Sequence, residues 1–116
     1  MVAQIDELSD EQVSRIFRAL ADATRRDIVR RTLAEESTIS QLASRYEMSF
    51  AAVQKHVAVL EEAGLVTKHQ HGRERRVRGN PEQLARAREL LSQLEELWRA
   101  RFSRIDRLFD PGFPEG

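Results

Sequence analysis

The sequence predicts a mainly α fold with one small β-hairpin, and three features of its second half predict it. First, apolar residues at helical spacing (Ile39, Leu42, Ala43, Tyr46) stop at Glu47-Met48, and a second short helix follows in which Val53, Val57 and Leu60 share one face. Second, Gly64 suits the left-handed position that ends a helix, and TKHQHGRERRVRG then forms a polar ribbon turning about His71-Gly72. Third, Asn80-Pro81-Glu82-Gln83 opens a long helix in which Leu84, Leu91, Trp98 and Ile105 recur every seven residues. Two short helices about a tight turn, then a basic hairpin, then a long helix make a winged helix-turn-helix. Its parts are expected at about 38–64 (helix-turn-helix), 65–79 (wing) and 81–109 (C-terminal helix), within one domain spanning 1–116.

The earlier segments fit the same plan. Ser9-Asp10-Glu11-Gln12 has the form of a capping box, and Val13, Ile16, Phe17 and Leu20 then follow at i, i+3, i+4 and i+7, so a first helix runs to about Ala21. Asp22 caps a second helix with an apolar stripe of Ile28, Val29 and Leu33 and a charged face of Arg25, Arg26, Asp27, Arg30 and Arg31. Glu35-Glu36-Ser37 interrupts the pattern, and Thr38 with Gln41 makes a second capping box for the third helix. Only Val66 and Val77 are clearly apolar in the ribbon, which therefore has to lean on the helices or on a partner. In the last helix Leu94 and Leu108 form a second row, and Leu90, Leu97, Phe102 and Phe109 widen the apolar surface. So broad a face on so long a helix implies two contacts, one within the protomer and one on a second subunit; full internal packing is the other reading. The tail DPGFPEG is turn-rich and expected to fray.

Composition removes several function classes. A chain of 116 residues supports one modest core. It has no apolar run long enough to span a bilayer, and its acidic N-terminus MVAQIDELSDEQ lacks the apolar stretch of a secretory signal, so a cytoplasmic address and no membrane partner are expected. With no cysteine there is no disulfide, no thiolate nucleophile and no thiolate metal ligand. Formal net charge is zero, yet from Val66 to Gly79 five cations face the single anion Glu74, leaving the ribbon at +4. Phosphates respond to a local patch rather than to a whole-chain sum, so double-stranded DNA is the expected partner. The other reading of those charges is that they keep an exposed sheet edge soluble and unpaired.

The face of the second short helix left over from packing carries Phe50, Ala51, Gln54, Lys55 and Ala58. Gln54 has the amide that pairs with one adenine edge, and Lys55 donates to guanine or to phosphate. Ala51 and Phe50 suit thymine methyl groups, although Phe50 equally suits packing on the ribbon. Ser49 caps the helix whose N-terminus would meet a phosphate, and Thr38 and Ser40 are further backbone donors. His56 borders the buried stripe, and both a phosphate contact and a bond within the protein remain open for it. In the ribbon Arg73, Arg75 and Arg76, with Lys68 and His71, are candidates for the minor groove and its flanking phosphates.

IFRALADATRRDIVRRTL, then TISQLASRYEMSFAAVQKHVAVLEEAGLV, then HGRERRVRG, resemble the ArsR-type winged helix-turn-helix repressors from Ile16 to about Phe109. The resemblance implies a homodimer built on the first and last helices, with Ile16, Phe17, Leu91, Leu94, Trp98, Phe102 and Ile105 at its interface. It further implies a repressor that binds a pseudo-palindromic operator until an effector releases it. Metal-sensing members carry a Cys-x-Cys pair where this chain has Thr38 and Ser40, or His and carboxylate ligands in a last helix that here contains no His. Neither site carries over, so the chain looks like the cysteine-free branch, with no metal, no cofactor and an effector the sequence does not name. Ala51 replaces the family's usual proline early in the recognition helix.

Rival functions have weaker support. His69 and His71 alternate onto one strand face, but a metal would need His56 as third ligand. Enzyme chemistry lacks a cysteine nucleophile and a glycine-rich phosphate loop, so none is expected. A winged helix used as a protein-interaction module would carry an acidic or apolar wing. A ligand-sensing repressor would place a pocket between the first and last helices, lined by Phe17, Trp98 and Phe102, where a dimer core also needs aromatic residues.

Overall fold

The computed structural model describes residues 7–108. In chain order its elements are α1 (Asp10–Leu20), α2 (Ala23–Ala34), β1 (Ser37–Thr38), α3 (Ile39–Ala43), α4 (Phe50–Glu62), β2 (Val66–His71), β3 (Glu74–Gly79) and α5 (Pro81–Leu108). The chain divides into two compact units, the first ending at Arg86 and the second starting at Ala87. Phe109 and the tail DPGFPEG lie outside the described residues.

The helix starts follow the sequence signals. Ser9 Oγ accepts the Gln12 amide at 3.1 Å while Gln12 Oε1 accepts the Ser9 amide at 2.8 Å, and Thr38 and Gln41 repeat this reciprocal cap at 3.1 and 2.8 Å. Asp22 caps α2 through the Arg25 amide at 3.0 Å, and Ser49 caps α4 through the Ala52 amide at 3.1 Å. The Arg25 amide bond is the first cause holding the Asp22 carboxyl below the usual aspartate range.

The end of α4 is a closed hydrogen-bonding unit. Gly64 has φ +77°, its amide bonds the Glu61 carbonyl at 3.0 Å and the Leu65 amide bonds the Leu60 carbonyl at 2.9 Å, the paired bonds of a Schellman motif. The side chains of Gln83 and Asn80 then donate to the carbonyls of Ala63 and Gly64 at 3.0 and 2.9 Å. The first turn of α5 thereby fixes where α4 stops and the wing begins.

The core of the first unit is built from Ile16 and Ala19 of α1, Ile28 and Val29 of α2, Leu42 of α3, Val53, Val57 and Leu60 of α4, and Leu65, Val66 and Val77 at the sheet. Two expectations fail on α2. Leu33 stays 42% exposed, and the buried position one residue earlier belongs to Thr32, whose hydroxyl donates to the Ile28 carbonyl at 2.8 Å and so enters the core satisfied. The charged face, expected on the exposed side of the helix, is only partly exposed, because Arg25, Asp27 and Arg31 are half-buried.

The ribbon is one part of a three-stranded antiparallel sheet in the order β1-β3-β2, not a two-stranded hairpin. Ser37 pairs with Val77 and Thr38 with Arg76, on the edge of β3 away from β2. Two residues are too few to show alternation, so this strand left no periodic signal. His71 pairs with Glu74 across a two-residue loop in which Gly72 has φ +65°. Gly79 closes β3 against α2: a Cβ there would lie 2.7 and 2.8 Å from Leu33 side-chain atoms and 2.9 Å from its backbone nitrogen. Backbone cannot yield as a side chain can, so Gly79→Ala should destabilise the protein by about 1–3 kcal/mol. Urea unfolding checks this, and an unchanged midpoint would refute it.

In the second unit α5 continues as a helix with Leu91, Leu94, Leu97, Trp98, Phe102, Ile105 and Leu108 all exposed. The Trp98 and Phe102 rings stack with centroids 6.0 Å apart. Among the described residues no helix is long and apolar enough to cross a membrane.

Candidate nucleic-acid interface

Helix α4 divides as its sequence demands. Val53, Val57 and Leu60 are buried, whereas Phe50, Ala51, Gln54, Lys55 and Ala58 are exposed, Phe50 being 49% accessible. Ser49 and Ser40 are exposed. Thr38 is half-buried, and its hydroxyl is engaged as the α3 cap.

Two polar anchors hold this helix pair on the scaffold. Helix α3 ends at Ala43, so Tyr46, expected as its last apolar residue, belongs to the turn before α4. Its hydroxyl donates to Asp27 Oδ2 of α2 at 2.6 Å, the same oxygen that accepts from Arg31 Nε at 2.8 Å, while Arg30 bonds Asp27 Oδ1 at 2.7 Å. The Arg31 guanidinium also lies 5.8 Å from the Tyr46 ring centre. The Tyr46 and Arg31 bonds hold the Asp27 carboxyl below its ordinary range, and burial, reinforced by the bond to Asp27, pushes the Tyr46 phenol up to about 12.

The second anchor is Arg25. Only Ala21 and Asp22 connect α1 to α2, which leaves the last carbonyls of α1 needing donors. Arg25 Nε and Nη2 donate to Ala19 and Arg18 at 2.8 and 3.2 Å, and Arg26 Nη1 donates to Leu20 at 2.8 Å. The third edge of the Arg25 guanidinium reaches His56 Nδ1 on α4 at 3.2 Å. The arginines of LADATRR thus serve the scaffold, a role the charge pattern alone did not reveal.

The wing cations fall into two sets. Lys68 pairs with Glu61 of α4 at 3.4 Å, Arg76 with Glu74 at 3.1 Å, and Arg78 with Glu36. The Arg78 bond is also the first cause of the lowered Glu36 pKa. Arg73 and Arg75, by contrast, are exposed at the hairpin tip beside exposed His71 and have no carboxylate partner among the described residues. Their positive charge is therefore the part of the patch that no carboxylate among the described residues answers. His69 bonds Thr67 at 2.8 Å, and no three His, Asp or Glu side chains among the described residues gather in a way that could hold a metal.

The expected interface residues on the helices separate similarly. Ile16 is fully buried inside the protomer's own core and so is withdrawn from any partner, whereas Phe17 beside it is exposed. Leu91, Leu94, Trp98, Phe102 and Ile105 are all exposed on α5.

A capped helix pair presenting polar groups, beside a hairpin with a cationic tip, defines a winged helix-turn-helix of the DNA-binding class. Comparison with known proteins agrees. The family model of a helix-turn-helix domain matches residues 20–69. The chain is 38% identical over 68 residues to YuzN, an uncharacterized HTH-type transcriptional regulator of Bacillus subtilis, an alignment covering 52% of this chain and 73% of YuzN. An ArsR-like transcriptional regulator from Rhodococcus sp. RHA1 superposes with a TM-score of 0.80 at 29% identity, over 85% of this chain and 93% of that one. A crystal structure of an ArsR family transcriptional regulator gives 0.73 at 33% identity, over 80% and 96%. At 24% identity and 0.60, over 77% and 88%, a homodimeric winged helix-turn-helix DNA-binding domain from Mycobacterium bovis shares the fold. The chain belongs to the ArsR family of transcriptional regulators, proteins that bind rather than catalyse.

Proposed function

We propose that this regulator is a cytoplasmic homodimeric repressor that binds a pseudo-palindromic operator, each protomer laying α4 in a major groove and its wing tip against the adjacent minor groove or phosphates. The observation that carries the reading is the pairing of a polar, exposed α4 face (Gln54, Lys55) with two hairpin-tip arginines that have no carboxylate partner among the described residues. A wing built to bind a protein partner would have little use for that charge. Dimerisation draws support from the exposed apolar face of α5 and from the homodimer formed by the Mycobacterium bovis relative. Repression is carried over from the family resemblance. In this reading residues 1–116 act as one domain, with α5 and Phe17 as its dimerisation surface and the 38–64 and 65–79 segments as its reading head.

Gln54 and Arg75 divide the work between base and backbone. Binding is measured on DNA upstream of the protein's own gene and on random duplex, across a salt series. Gln54→Ala should cost about 1–3 kcal/mol on the preferred duplex and little on random DNA. Arg75→Ala should weaken both and flatten the salt dependence by about one released counterion per subunit. Identical patterns for the two variants would refute the division, and equal weak binding of the wild type to every duplex would refute the regulator's specificity.

A further inference from the structure

We infer that Arg25 is a positioning residue for DNA binding, holding His56 in the tautomer and orientation that present its Nε2–H to a backbone phosphate; this rests on the DNA-binding reading above. A guanidinium only donates, so the Arg25 Nη1 contact at 3.2 Å requires His56 Nδ1 to be the accepting, unprotonated nitrogen. The neutral ring then carries its proton on Nε2. Protein-internal bonding and DNA contact were rival readings of His56; with one nitrogen assigned to each, they become two halves of one device.

Arg25 is well fixed for this task. Its other two edges are tied to the carbonyls of Ala19 and Arg18, and its own amide is held by the Asp22 carboxylate at 3.0 Å. The guanidinium therefore stands still relative to the end of α1 and the start of α2. His56 is half-buried on the flank of α4, next to exposed Lys55 and one turn beyond Ala52. That flank is separate from the one where Glu61 engages the wing through Lys68. A phosphate donor there would brace the recognition helix on the side opposite the hairpin, fixing its depth in the groove without reading sequence. The Arg25 charge behind the ring favours an anionic acceptor in front of it, while the nearby Asp22 carboxylate is occupied by its cap bond.

The test is side-chain ¹⁵N NMR on the full chain at mildly alkaline pH, where an ordinary imidazole is neutral. Spectra are taken free and saturated with a duplex selected from a random-sequence pool. The expected result is a proton on His56 Nε2 in the free protein and a downfield move of that signal on DNA addition. A proton on Nδ1 overturns the inference. So does an unmoved Nε2 signal while the amides of Gln54 and Lys55 shift. If those amides also stay still with every duplex, the DNA-binding reading itself has failed. Binding supplies the second arm: His56→Ala should lose about tenfold or more on preferred and random duplexes alike, the range of a hydrogen bond to a charged acceptor. Arg25→Lys, which keeps the charge but not the fork, should lose the single tautomer and weaken binding similarly; full affinity in either variant overturns the inference. Should Arg25→Lys fail to fold, His56→Ala and the wild-type spectra decide alone.

Discussion

If the protein is the homodimer proposed above, replacing Trp98 by glutamate should leave a folded chain that no longer dimerises and that binds the proposed operator roughly 100-fold or more weakly, the loss expected when two linked half-site contacts become independent. Trp98 is 61% exposed in the protomer, flanked on the same helix by Leu94 at 52% and Phe102 at 56%. Apolar area of this kind is worth about 25 cal/mol per Å² when water leaves it, and a tryptophan supplies more of it than any other side chain. In the proposed dimer, a carboxylate in its place would be desolvated within the contact between protomers. Because the residue is exposed in the single chain, the folded protomer itself should lose little. Light scattering reads the assembly state and a duplex titration reads the affinity. A persistent dimer would move the interface away from this face of α5; a monomer with undiminished affinity would remove the two-half-site operator.

The parts legible in the sequence are those fixed by local chemistry. Ser9, Asp22, Thr38 and Ser49 each cap the helix they were expected to cap, because the capping bond spans only three residues. Gly64 and Gly72 sit at positive φ, where glycine is the natural occupant. The buried face of α4 was readable because three aliphatic residues at 3.6-residue spacing leave no competing arrangement. What escaped was non-local. Strand β1 exists only because β3 has a second edge for it. Tyr46 fits an apolar stripe by spacing, yet its hydroxyl bonds Asp27 nineteen positions away. The wing reads as a uniform +4, but Glu36 reaches it from far back in the sequence and Glu61 from the end of α4, pairing with Arg78 and Lys68 and leaving the tip arginines distinct. Ile16 fits an interface by analogy and is instead enclosed by its own protomer. No pattern in one chain's order reports such meetings.

The strongest of those meetings should make stability fall at both ends of the pH scale through one cluster. The Asp27–Tyr46 bond needs an ionised carboxyl and a protonated phenol. Asp27 has a folded pKa below its ordinary 3.8, so its contribution is fully present above that value and is lost as pH falls through the folded pKa. Tyr46 has the opposite displacement, from 10.0 to about 12, so its contribution is complete below about 10 and disappears as pH rises toward 12. Between those limits the cluster ties α2 to the turn that aims α4. Asp27→Ala should cost about 2 kcal/mol near neutrality, because the carboxylate is only 29% exposed and its loss strands the Tyr46 hydroxyl in a half-buried site. Tyr46→Phe should cost about 1 kcal/mol and flatten the alkaline limb while leaving part of the acid limb, since Asp27 keeps its bonds to Arg30 and Arg31. Chemical denaturation across pH resolves the two limbs separately. An alkaline limb identical in wild type and Tyr46→Phe would show that the hydroxyl bond contributes nothing to holding the recognition helix.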